Sequence, residues 1–267
     1  MIELRNLTKK FGNLIAVNRL NLKVAKGEIF GFIGPNGAGK TTTLRMMSGI
    51  LSPTEGSVII DGLDMAKEPE KAKQNIGYIP DRPFLYEKLT GMEFLKFRAD
   101  LFGVEEGLFK EKAESLFNQF SLYDWRDDLI ESYSHGMKQR LTISAALLHD
   151  PKVLVIDEPM VGLDPAGMRM IKNLFKELAK KGTTLFMSTH TLSVAEDLCN
   201  RIGVLHKGVL ISMGTIEELK HSARMEEGDL EKVFLILTEG GDLASVSYTH
   251  LRAHETPEHL VCRLLLE

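Results

Sequence analysis

An ammonium group, a hydroxyl and a tight run of glycines suit one task when they stand together: holding the phosphates of a nucleotide. The segment GPNGAGKT (residues 34–41) has that spacing, G-x-x-x-x-G-K-[ST]. Gly34, Gly37 and Gly39, with Pro35, Asn36 and Ala38 between them, let the backbone turn tightly enough to aim several N–H groups at phosphate oxygens. Lys40 supplies a point charge for the β/γ-phosphates, Thr41 a hydroxyl ligand for Mg²⁺, and Thr42 follows in the same turn. A second segment, VLVIDEP (residues 153–159), runs from four apolar residues into two acids. Asp157 falls at the C-terminal end of that strand, where α/β sheets present ligands, and is suited to the Mg²⁺ shell. Glu158 can orient and polarise a water for in-line attack on the γ-phosphate. Alone, two such acids are better read as a cap on the following helix; paired with the phosphate loop, the catalytic reading wins.

These residues need a scaffold, and the pattern supplies one. EIFGFIG (residues 28–34) is a continuous apolar run, as expected for a strand buried on both faces, and residues 40–49 read as the helix after the glycine turn. Alternation at Ile2, Leu4 and again at Leu20, Leu22, Val24 predicts short antiparallel strands at the N-terminus. SVIIDG and IGYIP read as further strands. Residues 89–122 read as helical, with Phe94, Leu95, Phe97 and Leu101 on one face and Leu116, Phe117 and Phe120 on another. Helix and strand then alternate over residues 136–149, 153–156, 165–181 and 183–188, which argues for parallel strands with crossover helices. The expected fold is α/β: a P-loop NTPase core with a parallel sheet, an N-terminal antiparallel β subdomain, and a helical subdomain inserted at about residues 85–148.

Further segments carry a resemblance. SYSHGMKQRL (residues 132–141) resembles the signature of ATP-binding-cassette (ABC) proteins, with Ser134 and Gly136 at matching positions. MVGLDP (160–165) resembles the family's D-loop, MSTH (187–190) its switch histidine at His190, and Phe11 in KKFGN its adenine-stacking aromatic. The motifs stand in family order over residues 1–241, and DLEKVFLILTEGG (229–241) resembles the closing helix of the exporter-type branch. The resemblance implies an ATPase: two nucleotide-binding subunits, identical or different, sandwich two ATPs with Mg²⁺. In that arrangement Ser134 and the helix starting near Gly136 reach the γ-phosphate across the interface, and Glu158 acts as base. His190 holds the γ-phosphate and water, and Asp164 bridges the subunits. It also implies a separate integral membrane permease, docked through the helical subdomain and the loop around Asp81, with Phe84, Leu85 and Tyr86 as candidate contacts. The chain would then sit on the cytoplasmic face of the membrane.

Two positions depart from the family pattern. Asp81, in IGYIPDRP, stands where a glutamine is usual; it only accepts hydrogen bonds and is one methylene shorter, yet can still reach Mg²⁺ through water. His135 stands where the signature has its first glycine, either assisting phosphate binding or facing solvent inertly.

Composition narrows the alternatives. A net charge of −4 gives no basic footprint for nucleic acid, so none is expected as partner, against the competing reading of a soluble ABC ATPase acting on nucleic acid or ribosomes. No N/T-K-x-D motif supports a GTPase. Cys199 and Cys262 are too few for a disulfide scaffold. No run approaches the roughly 18 apolar residues of a spanning helix, so a membrane role must come through a partner.

The last stretch is expected to lie outside the domain (residues 242–267). His250, His254, His259 and Cys262 have ligand-like spacing, but Pro257 breaks the helix that would carry them, and no metal is assigned. Back-translated, residues 246–255 and 260–266 resemble the two ends of a transposase-based sequencing adapter, with 256–259 in the place of a sample barcode. Residues from about 246 to 267 are therefore expected to be translated adapter.

Overall fold

The computed structural model describes residues 1–223 and 230–239. The adapter-like tail, its histidines and Cys262 lie outside the described residues. Two sheets organise the chain. The first is antiparallel, in the order β2-β1-β4-β5, from β1 (Ile2–Phe11), β2 (Leu14–Val24), β4 (Glu55–Ile60) and β5 (Leu63–Asp64). The second, in the order β10-β9-β3-β8-β7-β6, is built from β3 (Ile29–Ile33), β6 (Ile76–Ile79), β7 (Val153–Asp157), β8 (Thr184–Ser188), β9 (Arg201–His206) and β10 (Val209–Gly214). Its strands are parallel except β10, which pairs antiparallel with β9. The N-terminal strands are longer than the short ones expected, because register shifts between Leu4 and Lys10 let β1 bend and continue.

Continuous apolar runs became the central strands for the expected reason. Every residue of β3, β7 and β8 is buried, with Phe186 packed between Phe30 and Phe32 at ring-centroid distances of 5.3 Å. Helices cross over the sheet: α1 (Lys40–Met47), α5 (His135–Leu147), α6 (Pro165–Lys180) and α7 (Leu192–Leu198), with α8 (Ile216–Ser222) and α9 (Leu230–Glu239) beyond β10. In α6 the buried residues Gly167, Ile171, Leu174 and Phe175 recur at helical spacing, so one stripe faces the core. Asp164 caps it by accepting from the Gly167 N–H at 2.8 Å, and Pro165 opens its first turn.

Between β6 and β7 lie α3 (Gly91–Phe102), α4 (Glu106–Gln119) and α5, after the short α2 (Pro69–Gln74) has led into β6. Phe94, Phe109, Phe117 and Phe120 form a core that runs on into Leu154 and Ile156 of the sheet. Thr90 and Glu93 close a reciprocal cap at the start of α3. Phe94, Leu95, Phe97 and Leu101 share one stripe of α3 as expected, but Phe97 and Leu101 are exposed while Phe94 and Leu95 are buried. The Tyr86 ring packs edge-on against Phe97 at 5.4 Å.

Candidate nucleotide site

The glycine-rich turn leaves the end of β3 and enters α1 through backbone shapes that only glycine takes easily. Gly37 and Gly39 have φ of +78° and +106°, and a Cβ on Gly39 would stand 2.4 Å from the Ala16 carbonyl oxygen. The first turn of α1 carries no acidic residue, so its free N–H groups and dipole face outward unopposed. Lys40 is buried, and its Nζ donates to the carbonyls of Gly34 (2.6 Å) and Pro35 (3.2 Å). Burial pulls its pKa down, while the carboxylates of Glu158 and Asp157 act against that. The ammonium is thus held inside the turn, close to where a phosphate would replace the two carbonyls.

Asp157 closes β7 and is almost fully buried, and the Ser188 hydroxyl at the end of β8 donates to its Oδ1. Glu158, the next residue, takes a left-handed φ of +50° and donates its N–H to the Ser188 carbonyl at 3.1 Å. That turn aims its side chain at His190, whose Nδ1 lies 2.8 Å from Glu158 Oε1. His190 is 62% exposed along its side chain and Phe11 48%, so neither is the packed core residue that its type alone would suggest.

One cleft of 500 Å³ gathers Phe11, Asn36, Gly37, Ala38, Gly39, Lys40, Thr41, Thr42, Asp81, Asp157, Glu158 and His190. Gly34 and Pro35 line an adjoining recess with Asn36 and His190. Ser134, Gly136 and Asp164 are not brought to this cleft. They line a different cavity, with His135 and Gly162. There the Ser134 hydroxyl caps α5 by accepting from the Met137 N–H at 3.3 Å, and the His135 ring lies against the Gly162 backbone.

Three residues were missed in the sequence: Leu14 and Ala16, which line the cleft beside Phe11, and Ser188, which orients Asp157. Only Ser188 left a signal, as the polar end of an apolar strand two residues before His190.

Mixed parallel sheet, antiparallel β subdomain and a phosphate turn facing a buried aspartate define a nucleotide-hydrolysing cassette. The family model described as ABC transporter matches residues 17–161, and the chain belongs to that family as an ATP-binding, ATP-hydrolysing subunit. It is 38% identical over 219 residues to the linearmycin resistance ATP-binding protein LnrL of Bacillus subtilis, covering 82% of this chain and 70% of that one. Among solved structures, an ATP-binding subunit of an ABC transporter superposes with a TM-score of 0.85 at 31% identity, covering 89% of this chain and 99% of the other. A dimeric ATP-binding cassette in a post-hydrolysis state with ADP and Pi superposes with a TM-score of 0.75 at 27% identity, covering 81% and 99%.

Proposed function

We propose that two nucleotide-binding subunits, this chain and a second copy or a relative, close around two ATPs and drive a separate membrane permease outward from the cytoplasmic face. The observation that supports this most directly is the separation of the two phosphate-directed sets. Residues 36–42 with Asp157, Glu158 and His190 line one cavity, Ser134, Gly136 and Asp164 another, and the two share no residue. Facing subunits complete each other's sites under such an arrangement. Ser134 and the first turn of α5 meet the γ-phosphate held by the opposite P-loop, and Asp164 sits at the contact. Phe11 stacks on the base, with Leu14 and Ala16 beside it.

The donor set fits Mg²⁺. Thr41, Asp157 and Asp81 line the cleft with oxygen donors, the kind this hard cation prefers. Among the described residues no cluster of three His, Cys, Asp or Glu side chains could hold a metal, so most of the shell falls to phosphate and water. When bound, Mg²⁺ supplies charge neutralisation on the β/γ-oxygens. Lys40 exchanges its carbonyl partners for phosphate oxygens, Glu158 takes the proton of the attacking water, and His190 fixes the Glu158 carboxylate. Asp81 lines both the nucleotide cleft and the neighbouring groove against α3, a position suited to coupling the two.

Among the described residues no helix is long and apolar enough to cross a membrane, which fits a permease on separate chains. The outward direction is supported by the printed role of the resistance relative. The test is to purify Glu158→Gln with ATP and Mg²⁺ and identify what accompanies it. An ATP-trapped dimer carrying an integral membrane protein is expected; an ATP-bound monomer, or a complex with nucleic acid, contradicts the proposal.

A further inference from the structure

Phe11 ends β1 at a two-residue turn, Gly12 and Asn13, with Leu14 opposite it in the pairing with β2. Both side chains are open to solvent. A half-exposed ring at a hairpin tip is free to turn about its own side-chain bonds, and a base that stacks on it loses affinity to fixing it. What steadies Phe11 is a cation. The Lys9 ammonium lies over the ring, 5.2 Å from the centroid, and donates to the Ser52 carbonyl at 2.8 Å. The neighbouring Lys10 pairs with Glu55 and Lys23 with Glu3, but half-buried Lys9 has no carboxylate partner among the described residues. A ring face and one carbonyl stand in for the missing anion.

Ser52 lies in the segment that leaves α1, and that segment is bonded to β1 twice more. The Thr54 N–H donates to the Thr8 carbonyl at 2.8 Å, and the Lys10 N–H to the Thr54 hydroxyl at 3.0 Å. Residues 52–54 thus join β1 to the helix that begins at Lys40, and Lys9 extends the join to the Phe11 ring. Phe11 lines the nucleotide cleft and Lys9 does not, so the ammonium covers the ring from the side away from the nucleotide. Lys9 also stays clear of the recess beside Gly34 and Pro35. Aromatic faces are electron-rich, so a cation on one face holds the ring and draws density from the other, where a purine stacks.

We propose that Lys9 is a positioning residue for the nucleotide base: it clamps the Phe11 ring from behind, at a fixed place relative to the phosphate turn, so that the base meets a platform already in position. Its contribution falls on the base and not on the phosphates. The inference rests on the reading of Phe11 as the base-stacking residue and assigns what holds that residue.

The test is calorimetric titration of the purified full chain with ATP and, separately, with inorganic tripolyphosphate, which has the phosphates without the base, both in Mg²⁺. Lys9→Ala is expected to weaken ATP binding about two- to fivefold, the factor that a surface cation–π contact corresponds to, and to leave tripolyphosphate binding as in the parent. Lys9→Arg should recover most of the loss, since a guanidinium also stacks on a ring face. In ATPase assays the loss should fall on KM rather than on kcat. Phe11→Leu should weaken ATP binding at least as much, and the double variant no more than Phe11→Leu alone, because Lys9 acts through the ring. Thermal melts confirm that each variant is folded. Undiminished ATP binding by Lys9→Ala, an equal loss for tripolyphosphate, or additive losses in the double variant would overturn the role of Lys9, and a weakened Phe11→Leu would still leave the stacking reading standing. Parent-like ATP binding by Phe11→Leu overturns both.

Discussion

Ser188→Ala isolates the positioning of Asp157 from the rest of the site. The Ser188 hydroxyl is fully buried and donates to Oδ1 of a carboxylate that is itself 2% exposed. Removing it has two opposing effects. The variant no longer buries a hydroxyl, a small gain, but Asp157 is left buried with its acceptor unmatched. Hydrogen bonds to charged groups contribute about 1.5–3 kcal/mol, and the penalty for an orphaned buried charge is at least as large, so the loss dominates. For a chain of this size that amounts to a fall in Tm of about 3–12 °C, read by thermal melting in EDTA so that no metal contributes. The second readout is the free Mg²⁺ needed for half-maximal ATPase, expected to rise about 10–100-fold, as is usual when a group orienting a metal ligand is lost. If Ser188→Ala melted with the parent chain and needed no more Mg²⁺, the claim that this hydroxyl holds Asp157 in place would be wrong.

Two other perturbations test the scaffold. Gly39→Ala forces a side chain onto φ +106° and within 2.4 Å of the Ala16 oxygen, a cost of about 1–3 kcal/mol of strain; calorimetric titration should show ATP binding lost or strongly weakened, and retained affinity would contradict the assigned backbone shape. His149 stacks on Phe102 at 3.8 Å, and burial depresses its pKa from 6.5 to about 4. Between those values the unfolded chain binds more protons than the folded one, so this contribution to stability is full above pH 6.5 and lost as pH falls toward 4. Urea midpoints of His149→Phe should therefore fall less between pH 7 and pH 4.5 than those of the parent; equal falls would mean that the histidine is not buried neutral.

The chemistry of the site was more legible than its geometry. A glycine turn, a lysine and a strand ending in acid are local patterns, and local spacing is what sequence displays directly. Phe97 and Leu101 show the limit: helical periodicity marks a stripe, but which neighbour covers each part of it depends on contacts distant in the chain. The β10-β9-β3-β8-β7-β6 order is of the same kind, since β3 lies between strands that follow it by more than 150 residues. Asp81 and Ser134 could be singled out from sequence, and the fold sets the first in the nucleotide cleft and the second in a separate cavity. The groove beside α3 left no sequence signal, because Arg45, Lys73, Arg82 and Arg98 come from four separated segments.

The composite site is tested most directly by the specific ATPase activity of the purified chain across a wide range of protein concentration, alongside its sedimentation with ATP and Mg²⁺. If each P-loop needs Ser134 and α5 from a second subunit, activity per chain rises with concentration as dimers form, and Glu158→Gln accumulates as an ATP-bound dimer that does not turn over. Activity per chain that stays constant while the protein sediments as a monomer would contradict the account.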